Sequence, residues 1–471
     1  MKLYDKKQID WKNILFDNKT LFGLLLPIIV EQFLNSFMGM VDTMMVSTVG
    51  SYAISAVSLV DSINNLVIQI FAAMAAGAVI ICSQYIGSGN KEESSRTAGQ
   101  VVLTVFVISF SVTLFCILGG ERLLRLIFGA VEDSVMKNAY IYFMITAISY
   151  PFLALFSAGA AFYRAFGNSK FPMKISVISN VINVTGNALF IYAFKWGVAG
   201  AAFATLLSRV FSTVVIYYCL RKPEQTIVVR DYLKIRPDMT LILKIMAIGI
   251  PAGIENGMFQ FGKIAISSTV STMGTMAISA QAMTDILENV NGIFSNGVGI
   301  GLMTVVGQSI GAHRKEEAKY YIVKLMGIAW IGVIVSCLLV FAITKPVTWL
   351  GRMEPEAAEM CFKLVAAMTV VKPLLWVGAF GLPYGFRAAG DVKFSMIVSV
   401  SSMWLCRVAF SIFLVRTFDF GLRAIWIGIF TDWIVRACIF SVRFISGKWL
   451  HENMVVQKAY TNVDNQKIKK N

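Results

Sequence analysis

The sequence predicts an all-α polytopic membrane protein, with twelve transmembrane helices in two pseudo-symmetric six-helix bundles. Three observations carry that prediction. Hydrophobic residues fill 57% of the 471 positions and charged residues only 15%, well below the charge of a soluble domain. Apolar runs of about twenty residues, each long enough to cross a bilayer, recur along the chain. The chain also repeats itself at a fixed spacing of 224 residues.

Spans are expected near residues 21–46, 53–80, 98–119, 138–162, 171–194, 198–220, 242–270, 277–304, 321–343, 360–385, 394–415 and 424–444. They divide the chain into an amino tail (1–20), a first bundle (21–220), a linker (221–241), a second bundle (242–445) and a carboxyl tail (446–471). The amino end does not read as a secretory signal, because Lys2, Lys6, Lys7 and Lys12 alternate with Asp5 and Asp10 and no short apolar core follows. Leu3, Ile9, Trp11, Ile14, Leu15 and Phe16 fit a short interfacial helix; a solvated tail is the other reading. The carboxyl tail, with Lys467, Lys469 and Lys470, reads as disordered.

Orientation follows from Lys and Arg. Counted in the loops and their flanking turns, the two tails and the connectors 2–3, 4–5, 6–7, 8–9 and 10–11 hold 28 of the 42. The opposite connectors hold 9. Positive residues mark the cytoplasmic side, so both termini are expected in the cytoplasm and the spans in the inner (plasma) membrane. The same alternation explains the net charge of +15 without a nucleic-acid partner. The seven Cys are scattered and form no CxxC pair, which disfavours a metal or disulfide role. His313 and His451 fall in a loop and a tail. No GxxxxGK[ST] loop and no redox ligand set occurs, so neither an enzyme nor a bound cofactor is expected.

The repeat is detailed. Pro27, Glu31, Gly50, Asp61 and Asn65 match Pro251, Glu255, Gly274, Asp285 and Asn289. Ala53-Ile54-Ser55-Ala56 recurs as Ala277-Ile278-Ser279-Ala280, and Lys91-Glu92-Glu93 as Lys315-Glu316-Glu317. Residues 27–93 contain 20 identities in 67 ungapped positions. Later, at a spacing of 223, Arg164-Ala165-Phe166-Gly167-Asn168 faces Arg387-Ala388-Ala389-Gly390-Asp391. Six spans per repeat bring both halves into the membrane from the same side. Two bundles so related suit a transporter that opens to alternate sides.

Ionisable groups within spans need an explanation. Glu31 and Asp42 in span 1 lie 11 residues apart, three turns and about 20°, and so share a face with Asn35 and Met38. Asn180, Asn183 and Asn187 share a face of span 5, and Asp61, Asn65 and Arg209 can border the same polar pocket. A carboxylate there can alternate between protonated and charged states, or amide oxygens can join it in holding Na⁺. The other reading pairs Asp42 or Asp61 with Arg209 and leaves the asparagines as glue between helices. The second bundle mixes signs. It carries Glu255, Lys263, Asp285, Glu288, Lys372 and Arg407, with Asp432 and Arg436 as an i,i+4 pair. Lys263 is placed to neutralise Asp285 or Glu255. The 23 Met and 34 Phe fit a deformable apolar lining, as well as ordinary packing.

Pro27-Ile-Ile-Val-Glu31-Gln, Val41-Asp42-Thr43, Gln84-Tyr-Ile-Gly87, Arg164-Ala-Phe-Gly167-Asn168, Asn183 through Asn187 and Gly197-Val-Ala-Gly200-Ala-Ala together resemble the multidrug and toxic compound extrusion (MATE) family. The resemblance covers about residues 20–445. It implies a secondary active antiporter that exports small, amphipathic, often cationic organic compounds in exchange for H⁺ or Na⁺. The family's helix 1 aspartate falls on Asp42, its helix 5 polar pair on Asn183 and Asn187, and a helix 6 threonine on Thr205. If Na⁺ is the coupling ion, Asp42, Asn183 and Asn187 are its expected ligands. Other members carry acids in the second bundle where this chain has Phe259 and Trp376; Glu255 stands one turn from the first. A monomer working on small molecules among lipids is expected. A lipid-linked oligosaccharide flippase of a related superfamily, with Lys263, Lys372 and Arg407 in its cavity, is the alternative, and a channel is another.

Overall fold

The computed structural model describes residues 3–129, 131–230, 232, 235–418 and 420–450. His451 and the rest of the carboxyl tail, with Lys467, Lys469 and Lys470, lie outside the described residues. The described chain is helical and contains no strand. The first six spans are α1 (Asn18–Ser47), α2 (Ser51–Gly87), α3 (Lys91–Phe128), the bent α4 (Asp133–Ile148 and Tyr150–Ala165), α5 (Lys170–Ala193) and α6 (Val198–Leu220). The second six are α7 (Met239–Ser271), α8 (Thr275–Gly311), α9 (Lys315–Leu350), α10 (Pro355–Ala388), α11 (Val392–Phe418) and α12 (Leu422–Ile445). Eleven are long and apolar enough to cross a membrane alone, and α4 makes the twelfth as a pair bent by 42°.

Local chemistry sets these boundaries. The Asn90 side chain caps α3 by accepting from the Glu93 N–H at 3.0 Å, and Glu92 and Glu93 then sit in the first turn, where the helix dipole favours acids. Gly197 and Gly421 precede α6 and α12 with nearly the same backbone, φ 57° and 56°, a region a side chain would strain. The bend in α4 has an identifiable cause. Pro151 has no N–H for the carbonyl of Ala147, and the Thr113 hydroxyl of α3 donates to that carbonyl instead, at 3.0 Å.

The chain forms two compact units, Lys19–Gly253 and Met1–Asn18 with Ile254–Asn471. In the first, α2 packs against α3 and both segments of α4, and α5 against α6. In the second, α8 packs against α9 and α10, and α12 against α10 and α11. The units divide inside α7 and not at the 221–241 linker, because that linker is bound to α3. Gln100 donates to the Arg236 carbonyl and accepts from the Asp238 N–H, both at 2.9 Å, and Arg96 pairs with Asp238 at 2.7 Å. The start of α7 follows it, with Ile245 and Gly249 backbone against Gly77 of α2.

The amino segment is neither an interfacial helix nor a solvated tail. It makes one 3₁₀ turn, Lys6–Gln8, and is then held against α9 of the second unit. Glu316 accepts from the Asp5 N–H (2.7 Å), Glu317 from the Leu15 N–H (2.6 Å), the Tyr321 hydroxyl from the Phe16 N–H (2.7 Å), and Arg314 donates to the Asn13 carbonyl (2.6 Å). Ile9 and Phe16 are buried. A helix does not form because Asp5 and Asp10 accept from the N–H groups two residues on, which closes turns instead. The Asn13 side-chain amide, donating to Asp10 at 2.9 Å, and the Lys12 N–H hold the Asp10 carboxyl below the usual carboxylate range. Removing the Tyr321 hydroxyl orphans a buried N–H, worth about 1–3 kcal/mol. Tyr321→Phe is therefore expected to speed limited tryptic cleavage at Lys12 about tenfold, read by mass spectrometry of the released peptide, with the helices left intact.

Candidate functional site

In the first unit α1 and α5 run in a constant register. Ser176 donates to Glu31 at 3.4 Å and Asn187 to Asp42 at 2.6 Å, and each pair is separated by 145 residues. The shared face expected for Glu31 and Asp42 is therefore the face turned to α5. From Asp42 a chain of polar groups runs across three helices. Asn187 Nδ2 also donates to Asn183 Oδ1 (3.2 Å), Asn183 Nδ2 to Thr205 Oγ1 of α6 (3.1 Å), and Thr205 to the Ala201 carbonyl (3.0 Å). Asn187 is fully buried and Asn183 nearly so. The Asn187 Oδ1 atom has no hydrogen-bond partner, and neither has Asn180 Nδ2; no hydrogen bond joins Asn180 to Asp42. A turn of π-helix, Ala188–Ala193, begins directly after Asn187, a distortion common at functional sites.

Asp42 forms no ion pair among the described residues; its hydrogen bond is to an amide. Arg209 lies within electrostatic reach of both Asp42 and Asp61, yet its guanidinium donates at 2.6 Å to the Ser149 hydroxyl, at the bend of α4. Asp61 accepts from Asn64 (3.1 Å), which accepts from the buried Tyr150 hydroxyl (2.7 Å). Of the two asparagines it is thus Asn64 that meets Asp61; Asn65 is exposed. Sequence reasoning missed Ser149 and Tyr150. The Pro151 beside them was the available signal.

Glu31 and Glu255 are not part of this chain. Glu31, 3% exposed, pairs with Arg164 at 2.6 Å. Glu255 pairs with Arg387 at the same distance. These are equivalent positions of the two repeats, so one ion pair is built twice. Proximity in sequence places each acid in the first span of its repeat, but its arginine arrives from the end of the fourth.

The second unit has other pairs. Lys372 meets Glu288 at 3.0 Å. Asp432 meets both Arg436 (2.6 Å) and Arg407 (3.0 Å), so the i,i+4 pair forms and gains a second arginine. Lys263 pairs with neither Asp285 nor Glu255 within 4.0 Å; its ammonium lies 5.5 Å from the centre of the Phe259 ring. At a spacing of 224 Asp42 and Thr205 correspond to Ile266 and Ile429, and at the spacing of 223 that aligns the start of span 5, Asn183 and Asn187 correspond to Cys406 and Phe410. The carboxylate–amide chain thus exists in the first unit alone. Among the described residues no three His, Cys, Asp or Glu side chains cluster as for a metal ion.

A family model described as MatE matches residues 27–189 and 251–413, two stretches offset by the repeat spacing. An uncharacterized transporter of Bacillus subtilis, YisQ, is 25% identical over 441 residues, 92% of this chain and 96% of its own length. A probable multidrug resistance protein of Thermotoga maritima, NorM, is 25% identical over 444 residues, covering 92% and 93%. Among solved structures, an outward-facing multidrug resistance MATE family transporter of the MOP superfamily superposes with a TM-score of 0.84 at 19% identity, over 91% of this chain and 96% of that one.

The twice-built ion pair has a measurable consequence. Breaking one buried partner leaves an unmatched charge and costs about 3–5 kcal/mol, whereas replacing both by apolar or neutral groups is often near neutral. Arg164→Met is expected to lower the melting temperature of the detergent-purified protein sharply, and adding Glu31→Gln to restore most of it.

Proposed function

The chain belongs to the MatE family of multi-pass membrane transporters, and from that membership we propose that it is a secondary active antiporter that exports small amphipathic, often cationic, organic compounds in exchange for H⁺ or Na⁺. It works as a transporter in the plasma membrane with both termini cytoplasmic, as the Lys and Arg alternation favours. Several relatives bear the name multidrug resistance protein, which supports a broad small-molecule range.

The observation that carries the reading is the polar chain Asp42–Asn187–Asn183–Thr205, buried at its two asparagines, whose acid has no cation against it. A carboxylate held by an amide alone is open to a proton or a small cation. The donor set also suits Na⁺: Asp42 supplies the charge, and Asn187 Oδ1 is a buried acceptor with no bond to lose. Asn183 Oδ1 lies beside it, bonded only to Asn187.

Coupling follows from the strength of one bond. While Asp42 is charged, its 2.6 Å bond to Asn187 is charge-assisted, and it ties α1 to α5. Neutralising Asp42 from the outside weakens that tie and lets the two helices repack around the π turn after Asn187. The bundle then takes its other form, releases substrate outward and gives up the ion inside. Each positive charge carried inward gains about 2.3 kcal/mol per 100 mV.

Asp42→Asn removes the exchangeable charge while keeping the shape. In reconstituted vesicles, with pH and Na⁺ gradients imposed separately, the wild type is expected to drive export of a cationic dye with one of the two gradients. The Asp42→Asn protein is expected to fall to the leak rate with both. Gradient-driven export by the variant at the wild-type rate discards the assignment. Flux in the wild type without counter-ion movement points to a channel instead.

A further inference from the structure

Among the described residues, the charges sunk in the two units do not balance, and they fail to balance in opposite directions. In the first unit Glu31 and Arg164 cancel, leaving Asp42 and Asp61 against Arg209, one acid in excess. In the second unit Glu255 cancels Arg387 and Glu288 cancels Lys372. Asp432 is shared by Arg407 and Arg436, and Lys263 and Asp285 face no ion-pair partner within 4.0 Å. That leaves one cation in excess. An unmatched charge within a membrane span is costly and marks a functional site by default.

The excess is localised. The Arg407 guanidinium lies 5.1 Å and the Lys263 ammonium 5.5 Å from the centre of the same ring, Phe259. Cation–π attraction lets the ring gather two like charges that otherwise repel. Lys263 and Phe259 are each partly exposed and Arg407 is buried behind them, so Lys263 is the reachable cation. Neither cation is inherited from the shared architecture of the repeats. Lys263 stands, at a spacing of 224, where the first unit has Gly39, and Arg407 where it has Val184 at a spacing of 223 or Asn183 at 224, neither of them a base. The second unit has Ile266 where the first has Asp42, and carries two bases that the first lacks.

We propose that Lys263 and Arg407, gathered at Phe259, form a receptor for a carboxylate on an otherwise apolar substrate. The transporter then handles anionic and zwitterionic amphiphiles as well as cations. Arg407, held by Asp432 through Nε and Nη2, backs the site with positive charge, and Lys263 supplies the mobile ammonium that meets a carboxylate. The Phe259 face meets the apolar body of the ligand. Asp285, held by Gln281 at 2.8 Å, is the internal competitor for Lys263. This assignment rests on the transporter reading above for its physiological meaning, but its test does not.

The test is equilibrium binding to the detergent-purified full-length protein near neutral pH, read by fluorescence anisotropy. Two dyes serve as probes, rhodamine 110 with a free carboxyl group and rhodamine 123, its methyl ester. The wild type is expected to bind the acid more tightly than the ester. Lys263→Met is expected to weaken the acid about tenfold, the scale of one charge-assisted hydrogen bond, with the ester within about twofold. Lys263→Arg is expected to keep the acid, and Asp285→Asn to tighten it. Ester binding reports that each variant is folded. The proposal is overturned if Lys263→Met affects both dyes alike or neither, or if the wild type shows no saturable acid binding. Selective acid binding without gradient-driven export in vesicles leaves the site standing and removes the antiport reading. Coupled export of the ester with no effect of Lys263→Met does the reverse.

Discussion

An acid or base sunk in hydrocarbon must be answered by an opposite charge or by oriented dipoles, and the helices of this protein are arranged around the two ways of answering. Where the answer is a full charge, as for Glu31 with Arg164 and Glu255 with Arg387, the group is closed and its helices are fixed. Where the answer is only an amide, as for Asp42 with Asn187, no fixed cation stands against the group. Both kinds occur on the same face of α1, three turns apart. Glu31 also accepts from Ser176 of α5, and in the same register Asp42 presents its carboxylate to a row of amides.

The duplication separates what the architecture requires from what the function adds. The glutamate–arginine pair, the glycines before α6 and α12, and the acidic first turns of α3 and α9 appear in both halves. They are the parts a six-helix bundle of this kind needs to form. The carboxylate–amide chain appears only in the first half, and the cation pair at Phe259 only in the second. Features present once cannot be explained by the needs of a bundle built twice, so the asymmetry itself points to chemistry.

Much of this was legible in the sequence, and the reasons differ by residue. The spans were readable because a lipid-facing helix must be apolar along its length. Asp42 and Asn187 were readable because helical periodicity predicts which residues share a face. The partner of Glu31 was not readable, since Arg164 sits over a hundred positions away and only tertiary packing brings the two together. Asn64, rather than Asn65, meets Asp61 because a helix presents i+3 and not i+4 to the bend of α4 here. The amino segment was misread because its apolar residues suggested a membrane surface. The N–H groups of Asp5, Leu15 and Phe16 instead find side-chain acceptors on α9.

The bend in α4 decides how Asp42 is partnered. An arginine so near a buried carboxylate would ordinarily close on it, and the resulting pair would be as fixed as Glu31 with Arg164. Pro151 interrupts the helix at Ser149, and Thr113 satisfies the carbonyl so freed, which makes the interruption stable. Ser149 can then take the Arg209 guanidinium, and Tyr150 can orient Asn64 toward Asp61. Arg209 thus remains close enough to act on Asp42 through space without forming a contact ion pair with it. A proline in one helix, by redirecting one arginine, leaves the carboxylate on another without a permanent partner.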